Sequence, residues 1–99
     1  MKLLSNTFQH QEYIPERCAF GIKDTENHMA LGKNKNPQLI WSEIHEEAKS
    51  LVLICVDTDV PSSLDNFNKE GKTISKDLPR VNFYHWVMVD IKAEDGSVD

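Results

Sequence analysis

The sequence predicts a mainly β protein, on two observations. Residues 51–56 (Leu51, Val52, Leu53, Ile54, Cys55, Val56) form an unbroken apolar run, short and rich in β-branched side chains. That combination marks a strand rather than a helix. Residues 81–91 then alternate: Val81, Phe83, His85, Val87, Val89 and Ile91 fall at one parity, Asn82, Tyr84, Trp86, Met88 and Asp90 at the other. A period of two is the signature of an extended chain with two distinct faces.

The remaining elements follow in chain order. Residues 1–36 are weakly patterned, with Leu3, Phe8, Ile14 and Phe20 as scattered apolar anchors and Pro15 limiting regular structure. Residues 32–37, from Gly32 to Pro37, read as a turn. Residues 37–41 are a short extended segment. Ser42 can cap a turn of helix that would place Ile44, Ala48 and Leu51 at helical spacing, although His45 stands where a capping box would put Glu. The continuous 51–56 run predicts burial on both faces. Pro61, just beyond it, cannot continue a central ladder. Residues 62–80 are a long polar loop. Connections of this length within one domain are uncommon and usually functional or disordered. The tail, 92–99, is polar, with a turn near Asp95 and Gly96 and no closing element.

A chain of 99 residues has room for one small domain, 1–99. Its hydrophobic share is 39%, so the expected core is lean. Eleven basic against sixteen acidic residues give a net charge of −5. This argues against nucleic-acid binding, which needs clustered cations, and against a polybasic membrane surface. One small anion held locally is compatible with it. No run approaches the ~18–20 apolar residues of a membrane span, and the start of the chain lacks the apolar stretch of a secretory signal. The expectation is a cytoplasmic protein with Cys18 and Cys55 as reduced thiols. Cys55, mid-strand, should be inert.

Two constellations carry chemistry. Asp57 closes the first strand and Asp59 follows two residues later. Both carboxylates either bond backbone N–H groups in the turn before Pro61 or face a site. His85 interrupts an apolar parity, and a buried imidazole needs partners for both nitrogens. It is either a satisfied core histidine or the wall of a pocket, with one nitrogen turned to a ligand. Antiparallel pairing of the two strands would bring Asp57 and His85 together. Gly71-Lys72-Thr73 resembles the end of a phosphate-binding loop, but Asn66 stands where its first Gly belongs. No Cys or His pair has zinc-finger spacing, and no metal or cofactor is expected.

Three segments in order form a recognisable pattern: residues 36–41 (Asn36, Pro37, Gln38, Leu39, Ile40, Trp41), then Asp57-Thr58-Asp59-Val60-Pro61-Ser62, then His85-Trp86 followed by Val87, Met88, Val89, Asp90 and Ile91. Together they resemble the phosphatidylethanolamine-binding protein family, also called the Raf kinase inhibitor protein family. Residues 1–8 are similar to its bacterial members. The family's first signature is a strand running into Asp-Pro-Asp-x-Pro-Ser and, after a variable loop, His-Trp. Here Thr58 replaces the intervening Pro, Phe83 stands where a Trp is frequent, and Asp90 replaces a frequent Asn. The second signature, Gly-x-His-Arg-Tyr with a second pocket His, has no match.

The resemblance implies an antiparallel β-sandwich, a large central sheet packed on a smaller one. Only its N-terminal portion would lie in this chain, which is therefore expected either to associate with itself or to lack a C-terminal half. It also implies a pocket for a phosphate head group or a carboxylate, such as phosphorylethanolamine or acetate, lined by Asp57, Asp59, Pro61, Phe83 and His85. The expected function is a non-enzymatic binding module for such an anion, regulating a partner kinase or protease, with 62–80 as a protein-contact loop. The alternatives are a metal-assisted hydrolase using Asp57, Asp59 and His85, or a pure interaction protein.

Overall fold

The computed structural model describes all residues, 1–99. The chain is mainly β: seven strands and one short 3-10 turn, Glu16–Cys18, with every strand pair antiparallel. It divides into two compact units, one of residues 1–49 with 92–99 and one of residues 50–91. No helix is long and apolar enough to cross a membrane.

The first unit holds a three-stranded and a two-stranded sheet. In the larger one, β1 (Lys2–Leu4) and β7 (Gly96–Val98) flank the fourth strand in chain order, β4 (Leu39–Ser42). Its centre is Trp41, opposite Leu3 on one side and Gly96 on the other, and only 8% exposed. A Cβ at Gly96 would meet the indole at 2.9–3.0 Å, so the missing side chain is what lets the ring lie flat on β7. The indole N–H donates to the Glu94 carbonyl at 3.2 Å, giving the covered ring its polar partner. The stretch after β1 is pinned by Gln38. Its carbonyl accepts from the Ser5 hydroxyl, its N–H donates to Thr7 Oγ1 at 2.9 Å, and its Oε1 accepts the Asn6 N–H at 2.9 Å. The smaller sheet is a hairpin of β2 (Gly21–Asp24) and β3 (His28–Leu31). Asp24 Oδ2 accepts the N–H groups of Glu26 and Asn27 across its turn, and His28 closes the turn at φ +66°.

The second unit is one long antiparallel ribbon of β5 (Leu51–Pro61) and β6 (Arg80–Ile91). The polar segment between them is a succession of turns. Its base is closed by the Ser62 N–H donating to the Pro79 carbonyl at 3.0 Å.

Four expectations are corrected here. The helix after Ser42 does not form. Glu43 takes φ +55°, which no helical residue adopts, and Ala48 N–H bonds only the His45 carbonyl in an isolated turn. The tail does supply a closing element, because β7 completes the sheet beside β4. Residues 1–36 carry three strands where no regular element was expected. Finally, the 51–56 run is not buried on both faces. Leu53 is covered (9% exposed), whereas Val52, Ile54, Cys55 and Val56 are exposed.

Candidate functional site

The second unit's ribbon carries all five residues singled out by sequence. Cross-strand partners share a sheet face, and the register of β5 on β6 fixes which face each takes. Ile54 lies opposite Val87 and Cys55 opposite Trp86, but Val56 lies opposite Tyr84, so β6 holds one extra residue at His85. Asp57 then lies opposite Phe83, while Val60 lies opposite Val81, so β5 holds the next extra residue at Thr58 or Asp59. These are two β-bulges on opposite strands, and the second cancels the register shift of the first. Between them only the pairs Val56–Tyr84 and Asp57–Phe83 stand in shifted register.

The first bulge corrects the expected face of β6. Strict alternation would set Phe83 and Val87 on one side. With the extra residue at His85, Phe83 shares a face with Asp57, Leu53, Trp86 and Met88. Val87 instead shares the opposite face with Val52, Ile54, Val56 and Tyr84. A bulge is a means of re-aiming a side chain, and bulges recur beside functional sites. The pair brought to one face by these two is Asp57 with Phe83.

The side chains build on that frame. The rings of Phe83 and His85 meet edge to face, centroids 4.8 Å apart at 62°, an orientation aromatic quadrupoles favour. Asp57 Oδ1 accepts the Asp59 N–H at 2.9 Å, so the turn-forming role expected of Asp57 is realised. Asp59 pairs with Arg80: Nε stands 3.8 Å from Asp59 Oδ1, and Nη1 donates to the Asp59 carbonyl at 3.4 Å. Pro61 ends β5 opposite Arg80 and is half-buried, while Asp57, Asp59, Phe83 and His85 are exposed. The site is therefore an open strip along the ribbon. Asp57, Asp59 and His85 are not gathered into a group of three that could hold a metal ion. Sequence reading missed Arg80 as a site residue, taking it for one of several loop charges. No sequence signal set it apart, since its place at the head of β6 opposite Pro61 exists only once the strands are paired.

Cys18 and Cys55 are both free, and Cys55 is exposed in β5 opposite Trp86 rather than sealed within it. Away from the ribbon, the first unit has a shallow cleft of about 270 Å³ lined by Glu16, Arg17, Ile22, Leu31, Gly32 and Lys33.

The sequence model described as phosphatidylethanolamine-binding protein matches residues 4–99, almost the whole chain. The chain belongs to the phosphatidylethanolamine-binding protein family. The resemblance read from the Asp57–Ser62 and His85–Ile91 segments is thereby shown, and the mainly β architecture agrees with it. A protein of Methanothermobacter thermautotrophicus named UPF0098 protein is 27% identical over 99 residues. That alignment takes in 100% of this chain and 47% of the relative, so the chain spans about half the length of the curated relative it matches. No solved structure matches the chain.

Proposed function

We propose that the ribbon of β5 and β6 forms part of a binding site for a small anionic ligand, a phosphate head group or a carboxylate, and that the chain acts as a non-catalytic binding module. The observation that carries this reading is the pair of offsetting bulges, which brings Asp57 and Phe83 to one face beside His85. A ladder built for stability alone has no use for two opposed irregularities within six residues. The family's name, phosphatidylethanolamine-binding protein, specifies a phosphate-bearing ligand.

In this reading His85 is the ligand-facing donor, with Phe83 holding its ring by edge contact. Asp57 is an orienter, its carboxylate occupied by the Asp59 N–H so that its negative charge is partly offset beside an anion. Asp59 and Pro61 shape the corner, and residues 62–80 present a surface to a protein partner such as a kinase or protease. A hydrolase built on Asp57, Asp59 and His85 has less support, since the three are not gathered into a metal-binding group.

Calorimetric titration with phosphorylethanolamine and with inorganic phosphate tests the reading. His85→Ala is expected to abolish binding while far-UV circular dichroism stays unchanged. Equal affinity in the wild type and the variant would remove His85 from the site, and heat of binding that appears only with a divalent ion present would favour the hydrolase.

A further inference from the structure

The shallow cleft of the first unit is lined by two short segments, 16–17 and 31–33, together with Ile22 of β2. Backbone bonds hold those segments side by side. The Gly32 N–H donates to the Phe20 carbonyl at 2.7 Å, the Asn34 N–H to the Ala19 carbonyl at 3.1 Å, and the Lys35 N–H to the Arg17 carbonyl at 2.9 Å. Gly32 permits that close approach: a Cβ there would collide with the Ala19 carbonyl oxygen and press on Ile22 Cγ2 at 3.2 Å. The edges of the cleft are thus set by main chain, and its side chains hang from fixed points.

The lining combines unused charge with apolar surface. No hydrogen bond or ion pair within the chain engages the Arg17 guanidinium, the Lys33 ammonium or the Glu16 carboxylate. Two cations against one carboxylate leave the lining at +1, in a chain whose net charge is −5. Leu31 is 72% exposed beside them, and Ile22 is half-buried.

We propose that this cleft is a second binding site, for a small monocarboxylate with a short apolar tail. One negative charge brings the lining to neutrality, whereas a phosphate dianion would overshoot it. The guanidinium fork of Arg17 matches the two oxygens of a carboxylate, and Lys33 adds further donors. The tail lies on Leu31 and Ile22 and takes them out of water. A volume of about 270 Å³ is just under the roughly 300–1,000 Å³ of sites for drug-sized molecules, so the ligand is smaller than those. Every lining residue belongs to the first unit, so this site stands or falls independently of the proposed anion site on β5 and β6.

The experiment is an NMR titration of the whole chain with sodium hexanoate, acetate and inorganic phosphate, following every backbone amide. Hexanoate is expected to shift the amides of Arg17, Gly32 and Lys33 saturably, and to bind there about tenfold tighter than acetate. Arg17→Gln and Lys33→Gln should each weaken hexanoate about fivefold or more. Leu31→Ser should bring hexanoate down to about the acetate level and leave acetate within about twofold of wild type. Glu16→Gln should tighten hexanoate about twofold, because it removes the one opposing charge. Hexanoate shifts that do not saturate, shifts confined to residues 51–91, equal affinity for acetate and hexanoate, or tighter binding of phosphate at the same amides would each overturn the proposal. So would weaker binding in Glu16→Gln, since Glu16 would then serve a positive group on the ligand. Phosphate shifts at His85 and its neighbours bear on the proposed function alone.

Discussion

Asp90 shows how much a single backbone angle asks of a side chain. It sits at φ +57° where β6 takes a further extra residue, between the pairs Leu53–Met88 and Leu51–Ile91. That left-handed region clashes with a Cβ, and Asn and Asp enter it more readily than other side-chain-bearing residues because their short polar groups bond locally. The sequence pattern had Asp90 in place of a frequent Asn, and the angle gives one physical reason for both. Asp90→Gly is expected to raise stability by up to about 1 kcal/mol, and Asp90→Val to lower it by more than that. Urea titration of the two variants measures both signs. A more stable Val variant would mean the bulge is absent in solution. The same residue-scale logic explains Asp57. Its role as a turn acceptor was legible from its type and from Pro61 beyond it, whereas its pairing opposite Phe83 was not, since it depends on residues 26 positions away in sequence.

At the scale of elements, the two long strands were legible because each repeats one simple pattern over many residues. The observed β6 runs Arg80–Ile91 against an expected 81–91, and β5 runs on to Pro61, its last residue. The Pro is tolerated there because β5 has β6 as its only neighbour, leaving its other edge unpaired. The short strands of the first unit escaped notice because three or four residues carry too few periods to be distinguished from a loop. The segment between β5 and β6 is held by isolated turns such as Phe67 N–H to Leu64 O and Lys72 N–H to Lys69 O, with Ser63 and Ser75 hydroxyls accepting Asp65 and Asp77 N–H groups. Such turns open at low cost. Limited trypsin digestion is expected to cut first after Lys69, Lys72 or Lys76, before any site within β5 or β6. First cleavage after Lys23 or Lys33 would place the weakest element in the first unit instead.

At the scale of the whole molecule, the feature that most governs behaviour is exposed apolar surface. Trp41 and Leu53 are the buried hydrophobic residues, while Val52, Ile54, Val56, Tyr84, Val87 and Val89 are 39–58% exposed. Ile54, Val56, Tyr84 and Val87 are assigned to one face of the ribbon by register, and Val52 and Val89 by their alternation with Ile54 and Val87. An uncharged stripe of this kind favours association, as do the unpaired edges of a two-stranded ribbon. The 99-residue chain is expected to bind the dye ANS and to grow in scattering mass with concentration. Ile54→Lys and Val87→Lys, which face each other across the strands, should each reduce that growth. Scattering mass that is independent of concentration, and unaltered by either substitution, would show the stripe to be inert.

What the sequence by itself determined was local: strand type where one period repeats, turn chemistry at Asp57 and Pro61, a charge balance unsuited to nucleic acid, and three ordered motifs specific enough to indicate a family. Tertiary structure decided which side chains share a face. One extra residue at His85 reverses the parity of everything beyond it, and a second, at Thr58 or Asp59, restores it. Neither residue type announces a bulge, because a bulge is a mismatch between two strands and exists only once they are paired. The same holds for Arg80, an ordinary loop charge in the sequence. It acquires its contacts with Asp59 and Ser75 only when the ends of β5 and β6 come together.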